Sequence, residues 1–358
     1  MAAPPQKKAS LAILDDYANV APKHFAHIQD LRIDSFPDTL DPHKPSDLDQ
    51  LVRRLQPYQI ISSMRERTPF PAALLTRLPE LKLLLNSSAR NAAIDLRCAA
   101  ERGVIVTGTK GLRPSDPGSL ARLEALPPPS GFSSVVQHAW ALVLALCSRL
   151  PRDDGALKRG EWQSGLMGSL AGLTLGVVGL GKLGTGMARV GALAWGMEVV
   201  AWSPNLTQAK VDQAAESVGC KGWRCVGKEE LFARADVVSV HLVLSERSRG
   251  VVGRGELAAM KNSAVLVNTS RGPLVDEAAL VEALKEGSIG GACLDVFWEE
   301  PLPEGSVWRK TDEWAKSEVV LSPHMGYANK GTMERWYQEQ GEEAGRWMRG
   351  EEVVNRMS

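Results

Sequence analysis

Leu173-Thr174-Leu175-Gly176-Val177-Val178-Gly179-Leu180-Gly181-Lys182-Leu183-Gly184 decides the fold. Its first six residues read as a buried strand that runs straight into Gly-x-Gly-x-x-Gly. An amphipathic helix follows over roughly residues 185–193, and then a second strand, Met197-Glu198-Val199-Val200-Ala201-Trp202. Gly179 permits the tight turn, Gly181 lets backbone approach a pyrophosphate, and Gly184 lets helix pack on strand. The helix N-terminus offers unsatisfied N–H groups and partial positive charge to phosphates. Gly-rich turns also occur for packing alone. Here strand, turn, helix and second strand fall in order, and the unit reads as dinucleotide-binding.

Three polar residues downstream each follow a strand-like run, where an open α/β sheet presents side chains to a crevice. Arg271 lies in Asn268-Thr269-Ser270-Arg271-Gly272, after the apolar Ala264-Val265-Leu266-Val267. Glu300 closes Leu294-Asp295-Val296-Phe297-Trp298-Glu299-Glu300-Pro301, and His324 lies in Leu321-Ser322-Pro323-His324-Met325-Gly326-Tyr327. An Arg that grips a carboxylate, and a His that a Glu keeps charged, suit the reduction of a keto acid. The chain reads as an oxidoreductase.

Together these residues make the chain resemble the D-isomer-specific 2-hydroxyacid dehydrogenase family, which includes phosphoglycerate, formate, glyoxylate and D-lactate dehydrogenases. The strongest stretch is residues 268–301, with Asn-x-x-Arg-Gly-x-x-Val-Asp and Leu-Asp-Val-x-x-x-Glu-Pro, and Pro323-His324 completes it. The resemblance covers about residues 11–354. It implies two α/β domains: a Rossmann-type, doubly wound cofactor domain and a flavodoxin-like substrate domain, with the active site in the cleft between them. The expected division is residues 1–110 for the substrate domain, a Pro/Ser-rich hinge insert at 111–134, the NAD(P)-binding domain at 135–326, and residues 327–358 as a helix returning to the substrate domain.

Bulk properties agree. A chain of 358 residues can build two cores, and Lys plus Arg balances Asp plus Glu at 42 each. No charge excess points to nucleic acid or a lipid surface. No apolar run reaches the length of a membrane span, and the N-terminus lacks a signal-type apolar region. The five cysteines are scattered without metal-ligand spacing, so reduced thiols, no metal and a cytoplasmic setting are expected. A homodimer is expected as well. Alternation of strand and helix signals places strands near residues 11–15, 59–62, 81–85 and 104–106. Helices are expected at 47–55, 71–78, 94–101, 135–150 and 327–348.

In the reading that follows, His324 is the acid–base group, Glu300 sits behind it and orients it, and Arg271 binds the substrate carboxylate with its planar fork. By position in the resemblance, Lys182, Leu183, Leu242, Thr269 and Asp295 join the three glycines as cofactor contacts, with Asp295 facing the nicotinamide. Ser203 stands where NAD-binding folds usually place Asp or Glu, so NADP is as plausible a cofactor as NAD. Ala89 and Arg90, in Ser88-Ala89-Arg90-Asn91, are expected to bind the substrate carboxylate. Arg65, in Met64-Arg65-Glu66-Arg67-Thr68-Pro69, either reads a second acidic or polar group on the substrate or forms a salt bridge inside its turn. His241 is expected to line the nicotinamide pocket, whereas His24, His27, His43 and His138 read as ordinary structural histidines. The insert reads as a tolerated surface segment or as a lid. Two other functions stay open: a biosynthetic enzyme on this scaffold with altered or non-redox chemistry, and a nucleotide-sensing, corepressor-like binding protein.

Overall fold

A parallel sheet needs a crossover between successive strands, and the alternation of β-branched runs with amphipathic stretches supplies one each time. The computed structural model describes residues 9–126, 132–163 and 165–357. The chain divides into two compact units, Met1–Ser130 with Asn329–Ser358, and Gly131–Ala328. Among the described residues no helix is long and apolar enough to cross a membrane. All five cysteines are free.

The first unit holds β1 (Ala9–Leu14), β2 (Leu31–Phe36), β3 (Ile60–Ser63), β4 (Leu83–Asn86) and β5 (Ile105–Thr107), ordered β2-β1-β3-β4-β5 with every pair parallel. This is the flavodoxin-like order, and its topological switch lies between β1 and β3. Strand β2 was not expected from the sequence. Arg32 and Asp34 interrupt its apolar pattern, and as an edge strand none of its residues is fully buried. The central strands β3 and β4 are buried throughout, which is why their apolar runs were legible.

The helix Lys330–Met348 belongs to this unit and carries three buried acids, Glu334, Glu339 and Glu343. Buried carboxylates need donors. Glu339 accepts from the amides of Lys110 and Leu112, at 2.6 and 3.0 Å, where the chain leaves β5. Glu343 accepts from the amides of Val354 and Asn355. Glu334 takes the Ala125 amide at 2.7 Å and the Lys23 ammonium at 2.8 Å. The described part of the insert is therefore an anchored element. Residues Pro117–Ala121 form a short helix capped by Asp116, with Gln338 Nε2 donating to Ser119 O at 2.8 Å. Residues 127–131 of the insert lie outside the described residues.

The second unit holds β6 (Thr174–Val178), β7 (Glu198–Trp202), β8 (Arg224–Cys225), β9 (Val237–Val240), β10 (Val265–Asn268), β11 (Gly291–Leu294) and β12 (Glu318–Leu321). Their order is β12-β11-β10-β9-β6-β7-β8, all parallel. The first strand of this unit, β6, lies inside the sheet beside the central β9, and the order reverses between the two, as in a dinucleotide-binding sheet. The apolar helix Ser134–Cys147 packs Trp140, Val143 and Leu146 with Leu175, Val177 and Val267 of the sheet.

His24 supplies a stability test. It lies on the short helix Pro22–Phe25, is 1% exposed, and has no hydrogen-bond partner at either ring nitrogen among the described residues. Burial, reinforced by the neighbouring Lys23 charge, pushes its pKa down to about 4. The unfolded chain thus takes up a proton near pH 6.5 that the folded chain refuses until about pH 4, so His24 costs stability progressively as pH falls through that window. His24→Leu is expected to flatten part of the acid-side fall and to leave stability at pH 7 unchanged or raised by about 1 kcal/mol, because no hydrogen bond is lost. Urea midpoints at pH 7 and pH 4.5 check this; wild type and variant falling in parallel would contradict it.

Candidate active site

At the end of β6 the three glycines have three different surroundings. Gly179 has φ +101°, and a Cβ there would lie 3.0 Å from the backbone of His241 and Leu242, just after β9. Any side chain would push apart the two strands that flank the topological switch. At Gly184 a Cβ would lie 2.1 Å from Gly179 O, so only glycine lets the helix Lys182–Trp195 pack against its own strand. An added Cβ at Gly181 meets nothing within 4 Å. Gly181 is the N-cap of that helix and supplies no side-chain cap, so open space stands before a helix N-terminus, which suits a phosphate.

Lys182 is exposed, Leu183 half-buried, and Ser203 follows β7 with its carbonyl accepting from the Leu206 amide at 3.1 Å. Leu242 packs at the edge of the core. Two buried polar atoms near the C-terminal ends of β9 and β10, His241 Nδ1 and Thr269 Oγ1, have no hydrogen-bond partner among the described residues. His241 Nε2 meets Ser239 Oγ at 2.8 Å, and burial pushes the ring's pKa down to about 4, so the imidazole is neutral at pH 7. An unpaired buried polar atom costs about 1–3 kcal/mol, which a ligand with matching groups would offset. The cradle and these atoms fit a nicotinamide dinucleotide.

Arg271, Glu300 and His324 follow three neighbouring strands, β10, β11 and β12, at their C-terminal ends. Asn268 fixes the Arg271 loop, donating from Nδ2 to Arg271 O at 2.9 Å and accepting from the Ser270 amide at 3.1 Å. Ser270 Oγ donates to Val240 O at 2.8 Å, and Arg271 Nη1 donates to Ser270 O at 2.7 Å. Gly272 then passes so close to the next loop that a Cβ would lie 2.2 Å from Phe297 C and 2.7 Å from the Trp298 amide. That approach couples the Arg271 loop to the loop carrying Glu300. Glu300 Oε1 accepts from the Phe297 amide at 2.8 Å, and its Oε2 lies 2.5 Å from His324 Nδ1. The pair is about a third exposed at Glu300 and 27% at His324, and Tyr327 stands edge-on to the imidazole with ring centroids 5.5 Å apart. Trp298 stacks on Trp308 and donates to Val275 O, so it holds the loop as a core aromatic.

Asp295, expected as a cofactor contact, is 1% exposed and bonded within its own unit. Its Oδ1 accepts from the Met325 amide at 2.7 Å and its Oδ2 from the Gly326 amide at 2.9 Å. His138 Nε2 lies 3.1 Å from Asp295 Oδ1 and 2.8 Å from Ser322 Oγ. Burial alone would raise the Asp295 pKa, but hydrogen bonds from His138, Ser322 and the two amides outweigh it and hold the carboxyl below its ordinary value. His138 and Ser322 escaped the sequence reading. The available signal was a histidine inside an otherwise apolar helix, which needs a polar partner once packed.

Arg65, Ala89 and Arg90 lie in the first unit. Arg65 follows β3 with φ +50°, and its Nε is 3.4 Å from Glu66 Oε2, the salt bridge inside the turn. Its carbonyl accepts from Asn91 Nδ2 at 2.6 Å. Ala89 and Arg90 are exposed at a turn after β4 that Asn86 pins, donating to Ser88 O and Oγ at 2.8 and 2.7 Å.

Comparison with known proteins adds family-level evidence. The NAD-binding domain of D-isomer-specific 2-hydroxyacid dehydrogenases matches residues 140–326. The chain is 31% identical over 284 residues to a D-3-phosphoglycerate dehydrogenase of Archaeoglobus fulgidus, covering 79% of this chain and 48% of that protein. Here the chain spans about half the length of its relative. It is 34% identical over 268 residues to a glyoxylate reductase of Aeropyrum pernix, covering 72% of this chain and 71% of the reductase. Among solved structures, a phosphoglycerate oxidoreductase from Vibrio cholerae is 32% identical with a TM-score of 0.80, covering 96% of this chain and 99% of that one.

The glycine surroundings predict two separable effects. Gly272→Ala forces backbone apart and should destabilise the second unit by about 1–3 kcal/mol. Gly181→Ala meets nothing, so it should leave the melting temperature unchanged and weaken dinucleotide binding. Thermal unfolding and nucleotide titration of both variants check this. Equal destabilisation, or unimpaired binding in Gly181→Ala, would contradict it.

Proposed function

The chain belongs to the D-isomer-specific 2-hydroxyacid dehydrogenase family, and on that premise we propose that it interconverts a small 2-keto acid and its D-2-hydroxy acid. His324 is the acid–base group in this reading. The observation that carries it is the Glu300 Oε2–His324 Nδ1 contact at 2.5 Å, beside an Arg271 loop locked to the Glu300 loop through Gly272. With Nδ1 committed to Glu300, the imidazole has Nε2 left for substrate. As imidazolium it donates the Nε2 proton to the oxygen of the carbonyl being reduced; as neutral imidazole it accepts that proton in the reverse direction. Glu300 fixes the tautomer and the orientation of the ring. The Arg271 guanidinium binds the substrate carboxylate with two parallel N–H donors.

A bound nicotinamide dinucleotide would supply the hydride to the carbonyl carbon, or take it up in oxidation. Gly179, Gly181, Lys182, Leu183, Gly184, Ser203, Leu242 and Thr269 are the residues that would hold it, whereas Asp295, buried and bonded to the Met325 and Gly326 amides, serves its own loop. The family's NAD-binding domain supports NAD. For NADP the support is Ser203, which brings no carboxylate against a 2′-phosphate. In the first unit, Arg65, Ala89 and Arg90 would serve the substrate. The same reading takes the protein to be a cytoplasmic homodimer, and the exposed Trp162, Leu166 and Met167 of the second unit suit an interface between copies.

His324→Gln is expected to keep the fold and cofactor affinity while lowering kcat for 2-keto acid reduction by about a hundred- to ten-thousandfold. Arg271→Lys should lower kcat/KM by orders of magnitude, again with cofactor binding preserved, because a point charge cannot replace the fork. Steady-state kinetics with a 2-keto acid decide both, and rates that survive either substitution would remove that residue from its role.

Ser203→Asp should move cofactor preference toward NADH. The new carboxylate accepts from the ribose hydroxyls and repels a 2′-phosphate, a difference of roughly tenfold to a hundredfold in relative affinity. Titrating NADH and NADPH into wild type and variant checks it. A preference that does not move would place the ribose elsewhere.

A further inference from the structure

His324 stands in a left-handed turn. Its φ is +56°, uncommon for L residues, with Asn, Asp and His the ones that enter it most often. Such conformations persist where the surroundings over-determine them. Here the two residues that follow His324 are bound to one group. Asp295, just beyond the end of β11, accepts the Met325 amide on Oδ1 and the Gly326 amide on Oδ2, at 2.7 and 2.9 Å. A Cβ at Gly326 would lie 3.1 Å from Asp295 Oδ2 and 3.5 Å from Val135 Cγ1, so the turn is seated between the carboxylate and the start of the helix Ser134–Cys147.

The same helix supplies the support. His138 Nε2 reaches Asp295 Oδ1 at 3.1 Å and Ser322 Oγ at 2.8 Å. A carboxylate only accepts, so the hydrogen belongs on His138 Nε2, forked between the two oxygens. The His138 side chain is 25% exposed, while the packing of this helix is supplied by Val136, Ala139, Trp140 and Val143. Its chemistry, and not its bulk, is therefore what the position uses. We propose that His138, with Ser322, is a positioning residue that holds Asp295 beneath the Met325 and Gly326 amides and so fixes the turn that presents His324. Its functional half rests on the reading of His324 as the acid–base group.

The test compares His138→Leu, which removes the donor, with His138→Gln, whose Nε2 restores an N–H at nearly the same reach. Amide hydrogen exchange at Met325 and Gly326 in the full chain needs no substrate. It should rise at least tenfold in His138→Leu and return close to wild type in His138→Gln. Ser322→Ala should show a smaller rise, and it serves where His138→Leu does not fold. In kinetics with a 2-keto acid, His138→Leu should lower kcat about tenfold or more with little change in the cofactor KM, and His138→Gln should recover most of it. Unchanged exchange in both His138→Leu and Ser322→Ala overturns the proposal. So does equal loss of kcat in the Leu and Gln variants, which would mean that the imidazole only fills space. Raised exchange with wild-type kcat would keep the clamp and overturn the acid–base assignment of His324.

Discussion

Parallel strands all end on the same edge of their sheet, and every reactive group of the second unit hangs from that edge. β6 delivers the glycine cradle, β9 delivers His241, β10 Arg271, β11 Asp295 and Glu300, and β12 His324. Regular hydrogen bonding between neighbouring strands fixes the register, Val267 beside Cys293 and Cys293 beside Val320, so the loops beyond start from defined heights. Chemistry that needs an Arg, a Glu and a His within a few ångströms then requires only short loops. Gly272 shows how tight those loops are, since the space a methyl group would need is already filled by the backbone of Phe297 and Trp298.

Two carboxylates on the β11 loop take different tasks because their surroundings differ. Glu300 is a third exposed, is held by one backbone amide and faces an imidazole that can carry charge. Asp295 is buried and ringed by donors that keep it ionised against the cost of burial. The first suits a group whose partner changes protonation during a reaction; the second suits a fixed anchor. A buried acid bound to two successive amides is a stiff support, because moving it would strand an ionised group without partners.

Much of this was legible in the sequence, for a local reason. The glycine turn, the Arg271 segment and the Pro-His pair each report themselves within a few residues, and buried strands such as β4 and β10 are short uninterrupted apolar runs. What escaped is what depends on distant partners. The edge strand β2 carries Arg32 and Asp34, which interrupt its apolar run, so no strand was expected there. The insert reads as structureless until Glu334, Gln338 and Glu342, more than two hundred residues away, are seen to bond it. His138 looked ordinary for the same reason, since its partners lie 157 and 184 residues further along the chain.

The central claim is that the edge of the second sheet reduces a 2-keto acid. Nicotinamide absorbance followed with the full-length protein, NADH or NADPH, and a panel of 2-keto acids tests it most directly, with the chirality of the product determined for each acid that reacts. Consumption of reduced cofactor with at least one acid, and a product of the D configuration, is the expected result. Tight nucleotide binding without turnover across the panel, or a product of the L configuration, would contradict the account.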